Sequence, residues 1–125
     1  MNNLIFIAGV FFFMCMSGLV QAGEQDLTAD EKQQIDKLIV FVENSDCLFV
    51  RNGDEHSGKD AAKHIKRKYK HYRDDIASPE EFIELSATKS SMSGRYYHIR
   101  CEGKQELKSK DWLLDELSSI KAKSG

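Results

Sequence analysis

Serine, histidine and aspartate side chains occur in two polar segments of the sequence that could together support nucleophilic chemistry. The first segment contains Asp54 and His56, and the second contains Ser90, Ser91 and Ser93. A serine hydroxyl becomes a nucleophile when an imidazole takes its proton and a carboxylate orients that imidazole. His56, Ser91 and Asp54 have the parts of such a site. The sequence lacks the Gly-x-Ser-x-Gly turn of many serine hydrolases, so a small hydrolase is the alternative interpretation.

Ligand binding is the interpretation that the same two segments favour. The predicted binding residues are Arg51, Asn52, His56, Ser90, Ser91, Ser93 and Arg95. Polar loops held on a rigid scaffold are where binding residues concentrate. Taken singly, each residue has a simpler explanation, because Asn-Gly pairs form turns and serines cap helices or contact water. The prediction therefore depends on the residues forming a cluster.

Two histidines and an aspartate raise the question of a metal site. Asp60, His64 and His71 could line one face of a helix. Zinc needs three or four converging ligands. His64 and His71 would lie about 10 Å apart along the helix axis, too far to share one ion. We predict no metal and no other cofactor.

Four helices are predicted from capping residues and apolar spacing. Apolar residues at i, i+3, i+4 and i+7 favour a first helix from Ala29 to Glu43, with a capping box at its start. Pro79 suits the first position of the third helix, where a missing N–H costs nothing. The predicted N-caps are Thr28, Ser57, Ser78 and Ser109.

The N-terminal segment is typical of a secretory signal peptide. No charged residue occurs in residues 1–22, and an apolar run from Leu4 to Met16 leads to Val20-Gln21-Ala22, which has the small residues that signal peptidase recognises. We predict cleavage after Ala22 and a single domain over residues 23–125. The alternative is an uncleaved membrane anchor, for which Leu4–Val20 is at the lower length limit.

The cysteines predict one disulfide. Cys15 leaves with the signal peptide, so Cys47 and Cys101 remain, and two cysteines in an oxidising compartment most simply pair. Two separately buried thiols are the alternative. Cys47 begins one apolar run, residues 47–50, and Cys101 ends another, residues 96–101. Both runs are predicted strands.

The predicted bridge sets how the two strands pair. If the cysteines are neighbours, the strands are antiparallel with residue 49 opposite 99 and 51 opposite 97. The loop 51–56 and the loop 90–95 then lie at the same end of the ribbon. Residues 54–57 are too polar for a returning strand, and residues 102–108 are expected to be loop. The predicted fold is α+β, with order α-β-α-α-β-α.

In this fold a two-stranded antiparallel ribbon packs on four helices. The prediction leaves room for a third strand at an edge. The four residues expected on the buried face of the ribbon are Cys47, Phe49, Ile99 and Cys101.

Several segments resemble a known family. They are Phe49-Val50-Arg51-Asn52-Gly53-Asp54-Glu55-His56, Ala61-Ala62, His64-Ile65, Lys68, Glu81-Phe82-Ile83, Ser90-Ser91-Met92-Ser93-Gly94 and Tyr97. Together they resemble the YfeK-like family of small bacterial periplasmic proteins, over most of residues 28–120. The resemblance implies a bacterial source and a periplasmic location. It implies no catalytic role, because the family has no established activity.

Charge composition limits the partners. The chain has 18 basic and 20 acidic residues and a net charge of −2, whereas a nucleic-acid binder needs excess positive charge. With the periplasmic location that the family resemblance implies, we predict a secreted periplasmic binding or interaction module. Its expected partner is a cell-envelope protein or a small polar ligand, with no nucleic acid and no stable membrane insertion once the signal is removed.

Overall fold

The computed structural model describes residues 26–124. The predicted signal peptide, residues 1–22, lies outside the described residues. The helices are α1 (Ala29–Glu43), α2 (Gly58–Tyr72), α3 (Pro79–Ser86) and α4 (Ser109–Ser124), with a single 3₁₀ turn at Arg73–Asp75. The strands are β1 (Leu48–Arg51), β2 (Asp54–His56), β3 (His98–Arg100) and β4 (Leu107–Lys108).

Three of the four predicted helix caps are present. Thr28 and Glu31 form the reciprocal capping box of α1. The hydroxyls of Ser57 and Ser78 accept hydrogen bonds from backbone N–H groups in the first turns of α2 and α3. The Ser109 cap is wrong, because Ser109 is the first residue of α4 and its buried hydroxyl makes no hydrogen bond within residues 26–124. Strand β4 runs directly into α4 and leaves no room for a capping residue.

All four strands belong to one antiparallel sheet, with the order β2-β1-β3-β4. The central pair has the predicted register, with Phe49 opposite Ile99. Cys47 and Cys101 form the predicted disulfide, and their Cα atoms are 4.4 Å apart. The α+β class and the bridge are therefore confirmed.

The two outer strands correct the prediction of a two-stranded ribbon. Residues 54–56 do return along β1, and the turn is formed by Asn52 at φ 51° and Gly53 at φ 83°. These positive φ angles suit a two-residue hairpin. The polar sequence of β2 is tolerated because an edge strand pairs through its backbone, while Glu55 bonds to Arg100 on the exposed face of the sheet. Strand β4 likewise occupies part of the segment expected to be loop. The observed order is α-β-β-α-α-β-β-α.

The core lies between the helices and one face of the sheet. Phe49 and Ile99, from the two central strands, are buried against helical side chains, and the half-buried Cys47 and Cys101 pack on the same core as predicted. The Trp112 ring stacks on Phe41 at 4.4 Å between centroids. Deeply buried apolar residues of the helices include Ile35, Leu38, Val42, Ala62, Phe82, Ile83, Leu113 and Leu117. This packing holds α2 beside the sheet end where the loops meet.

None of the helices in residues 26–124 is long and apolar enough to cross a membrane.

Candidate functional site

An open groove with a volume of about 480 Å³ lies at the loop end of the sheet, and we call it the basic groove. Helix α2 forms one wall, and the loops after β1 and before β3 form the other. The lining residues are Arg51, Asn52, His64, Arg67, Lys68, His71, Tyr72, Ser90, Ser91, Met92 and Tyr97.

Helix α2 contributes a stripe of basic and aromatic side chains. His64, Lys68, His71 and Tyr72 follow the i, i+4, i+7, i+8 spacing of one helix face, and Arg67 lies beside them. Lysines of an amphipathic helix usually lie on its solvated face, but Lys68 is half buried and turned into the groove. The three-residue step from the buried Ile65 to Lys68 is the signal that could have indicated this position.

A hydrogen-bonded chain of three side chains forms the floor of the groove. The hydroxyl of Tyr97, a residue that is 8% exposed, lies 3.1 Å from Nε2 of His64 and 3.4 Å from Nζ of Lys68. Lys68 Nζ also donates to the backbone oxygen of Lys89 at 2.8 Å. The backbone of Tyr97 is held by its own N–H on Thr88 O and by Ser109 N–H on its carbonyl. Hydrogen bonds through both of its backbone groups therefore fix the position of Tyr97.

Asn52 joins the two predicted loops. Its Oδ1 accepts a hydrogen bond from Ser93 Oγ at 2.7 Å, and its Nδ2 donates to Ser90 Oγ at 3.5 Å. The second loop is closed on itself, since Ser90 N–H donates to Arg95 O and Gly94 N–H donates to Ser90 O. The predicted meeting of the loops is present in the structure.

The predicted binding residues do not all reach the groove. Arg51, Asn52, Ser90 and Ser91 line it. His56 instead lines a small apolar cavity of about 30 Å³ under the sheet, which it shares with Phe49, Ile65 and Leu113 among others. Arg95 and the side chain of Ser93 are not lining residues of the groove. Three residues, Arg51, His64 and Tyr97, line both spaces.

The serines of the hydrolase alternative bond to groups other than His56. Ser90 Oγ accepts from Asn52, Ser93 Oγ donates to Asn52, and Ser91 Oγ lies 3.2 Å from the hydroxyl of Tyr72. Within residues 26–124, His56 makes no side-chain hydrogen bond to any of these hydroxyls. The hydrolase alternative stays a prediction.

Positive charge dominates the groove. No carboxylate is among its lining residues in the described part of the chain, and none lies within 4.0 Å of Arg51, Arg67 or Lys68 there. Burial, with Arg51 nearby, lowers the pKa of Lys68 below its ordinary value. Burial lowers the pKa of His64 to about 4, and the cations Arg51, Lys68 and Arg67 add to this effect. His64 is therefore neutral at neutral pH.

Tyr97 is also affected by the environment of the groove floor. Burial raises the pKa of the Tyr97 phenol above its ordinary value, although Arg51 opposes that rise. The hydroxyl keeps its proton at neutral pH and is available as both donor and acceptor.

Seven groove residues were missed as binding residues by the sequence analysis: His64, Arg67, Lys68, His71, Tyr72, Met92 and Tyr97. The spacing of the first five along α2 could have indicated them. Of the three residues considered for a metal site, His64 and His71 line the groove and Asp60 does not. In residues 26–124 no three His, Cys, Asp or Glu side chains converge.

Comparisons with known proteins identify the family. Residues 29–121, which include every residue of the groove, match the Family of unknown function (DUF5329). The chain belongs to this family. It is also 33% identical over 73 residues to the Uncharacterized protein YfeK of Salmonella typhimurium (strain LT2). The resemblance to the YfeK-like family is thus confirmed.

That similarity covers 58% of this chain and 61% of the Salmonella protein, so the chain spans less than two thirds of the curated relative. No solved structure matches the chain.

Proposed function

We propose that the protein is a secreted periplasmic binding module that holds a small anionic ligand in the basic groove. The observation that carries the proposal is the lining of this groove, where Arg51, Arg67 and Lys68 face a shared space with no carboxylate among the lining residues of the described chain. Cations left without counter-charges in a partly desolvated site attract an anion strongly.

The positive charge is local rather than a property of the whole chain. The net charge is −2, yet the groove lining contains three cations and two imidazoles. The lowered pKa values of Lys68 and His64 have the same origin, because burial and neighbouring cations disfavour further positive charge. A bound anion would relieve this repulsion.

The size of the groove favours a small ligand over a large protein partner. A volume of about 480 Å³ falls in the range of about 300–1,000 Å³ that small-molecule sites occupy. Polar donors accompany the cations, since Asn52, Ser90 and Ser91 line the opposite wall. Such a mixture of fixed donors and cations is suited to an oxyanion.

The proposed location depends on three further features. The N-terminal residues 1–22 have the pattern of a secretory signal, and the Cys47–Cys101 disulfide is compatible with an oxidising compartment. The family resemblance favours the periplasm among such compartments.

Isothermal titration with simple anions at low ionic strength tests the proposal, because added salt screens exposed charges. Arg67 is exposed and has no side-chain partner in residues 26–124, so Arg67→Gln leaves the fold intact while removing a groove cation. We expect it to weaken binding about tenfold, the lower end of what a charged hydrogen bond contributes.

Lys70→Gln is the matched control, because Lys70 is exposed on the same helix and outside the groove. It should leave the affinity nearly unchanged. Equal losses in the two variants would show that net charge alone drives binding, and failure of every anion to bind at millimolar concentration would remove the proposal.

A further inference from the structure

A buried hydroxyl without a protein partner lies at the start of α4. Ser109 is 3% exposed, and its Oγ makes no hydrogen bond within residues 26–124. Its backbone N–H donates to the carbonyl of Tyr97 at 2.9 Å, and this bond holds the residue beside the groove floor. A buried hydroxyl left unpaired lowers the stability of a protein, so such groups commonly bond to ordered water. The Ser109 hydroxyl therefore needs a partner other than the described chain.

The small cavity under the sheet lies next to this residue. Ser109 lines the cavity, which has a volume of about 30 Å³, together with His56, His64 and Tyr97. Its remaining walls are mainly apolar, so the few polar groups decide what can bind there. Free space of about 10–15 Å³ is enough for one water molecule, and the cavity therefore has room for about two.

Two imidazoles supply further hydrogen-bonding atoms at the cavity. His64 Nε2 lies 3.1 Å from the Tyr97 hydroxyl, whereas its Nδ1 has no partner within residues 26–124. The side chain of His56 has no hydrogen-bond partner in the same part of the chain, and it lines the cavity. A neutral imidazole has one donor and one acceptor nitrogen. Because water both donates and accepts, it can bond to these rings in either tautomer.

We propose that the cavity binds ordered water that bridges Ser109 Oγ to the rings of His64 and His56. This site goes beyond the proposed anion binding and does not depend on it. A buried water needs about two to four polar partners, and these three side chains supply them. A hydrocarbon group in the cavity would instead leave the Ser109 hydroxyl unpaired.

The water bridge lengthens the hydrogen-bonded chain of the groove floor. Lys68 and His64 each contact the Tyr97 hydroxyl, and His64 lines both the groove and the cavity. Through the bridge this chain continues from the groove into the core and reaches the first residue of α4. The imidazole of His64 is then held from two sides, by Tyr97 at Nε2 and by water at Nδ1.

A high-resolution crystal structure of the protein is the direct test. We expect electron density in the cavity at hydrogen-bond distance, about 2.5–3.2 Å, from Ser109 Oγ and from a ring nitrogen of His64 or His56. A second crystal under xenon pressure is the control, because dry apolar cavities bind xenon. Xenon in the cavity, or no density there at all, would overturn the proposal.

The sign of a stability change tests the bridge in solution. Ser109→Ala removes a hydroxyl that is bonded to water, so we expect the urea midpoint to fall. Ser86→Ala is the matched control, because Ser86 Oγ is also buried without a partner in residues 26–124, but Ser86 does not line the cavity. Removal of an unpaired hydroxyl should leave the midpoint unchanged or raise it. A Ser109→Ala midpoint equal to or above that of the wild type would contradict the proposal.

Crystal structures of the same two variants connect the stability change to the cavity. The water density beside residue 109 should be lost or displaced in Ser109→Ala and retained in Ser86→Ala. Unchanged water in Ser109→Ala would refute the role of the Ser109 hydroxyl in binding it.

Discussion

Removal of the Cys47–Cys101 disulfide tests the central connection of the fold. The bridge joins residues separated by 54 positions, so it closes a long loop in the unfolded chain. The chain-entropy relation converts a loop of this length into about 4 kcal/mol at room temperature. A domain of this size has a total stability of only about 5–15 kcal/mol, so the bridge is a large share of it.

The structure indicates that the fold survives this loss. The cysteines sit beside the central strand pair, whose register is also held by Leu48 opposite Arg100 and by the buried Phe49 and Ile99. Because those contacts do not include sulfur, the reduced protein should keep its sheet and helices while unfolding more easily. The melting temperature should fall by about 15–30 °C.

Urea unfolding of the oxidised protein, the reduced protein and the Cys47→Ala/Cys101→Ala variant measures the effect. Reduction opens the loop but leaves both sulfur atoms in place, whereas the double variant also removes them. Equal losses of stability in the two would therefore come from the loop constraint and not from the packing of sulfur. Both should be destabilised by about 3–5 kcal/mol. A loss below about 1 kcal/mol in both would refute the assignment of stability to loop closure, as would loss of all native structure on reduction.

Two further substitutions test packing and pH dependence. Gly58→Ala should destabilise the domain by about 1–3 kcal/mol in urea unfolding, since a Cβ there would clash with the carbonyl oxygen of Val42. Lys59→Ala on the exposed side should change stability by under about 0.5 kcal/mol. Burial lowers the pKa of His64 to about 4 in the folded protein, so below about pH 6.5 the unfolded state binds more protons than the folded state. The free energy of unfolding should therefore fall as pH drops from about 6.5 to about 4. His64→Gln should reduce the change of the urea midpoint with pH in this range, whereas His71→Gln, at an exposed position, should not. Equal slopes in the two variants would contradict the assignment of this pH dependence to His64.

The candidate site was partly predictable. The convergence of the two loops followed from the disulfide and the strand register, and Asn52 does bond to Ser90 and Ser93. The basic side chains that α2 contributes to the groove were not predicted, because Lys68 has the sequence pattern of a solvated lysine in an amphipathic helix. Only its contacts with Lys89 and Tyr97 show that it is folded into the groove.

Local chemistry in the sequence determined the starts of α1, α2 and α3, the disulfide and the register of the central strands. Caps at Thr28, Ser57 and Ser78 act within one helical turn, and two cysteines admit one pairing, so neither requires knowledge of distant neighbours. The tertiary structure decided the remainder. Edge strands as polar as β2 form because a neighbouring strand offers backbone partners.

The basic groove is likewise a product of tertiary structure. It brings His64 against Tyr97 across 33 positions of the chain and Tyr72 against Ser91 across 19. The charge balance of the sequence is close to neutral and does not reveal this concentration of cations. Packing of α2 beside the sheet end creates it, because only there do donors from three separate segments face one space.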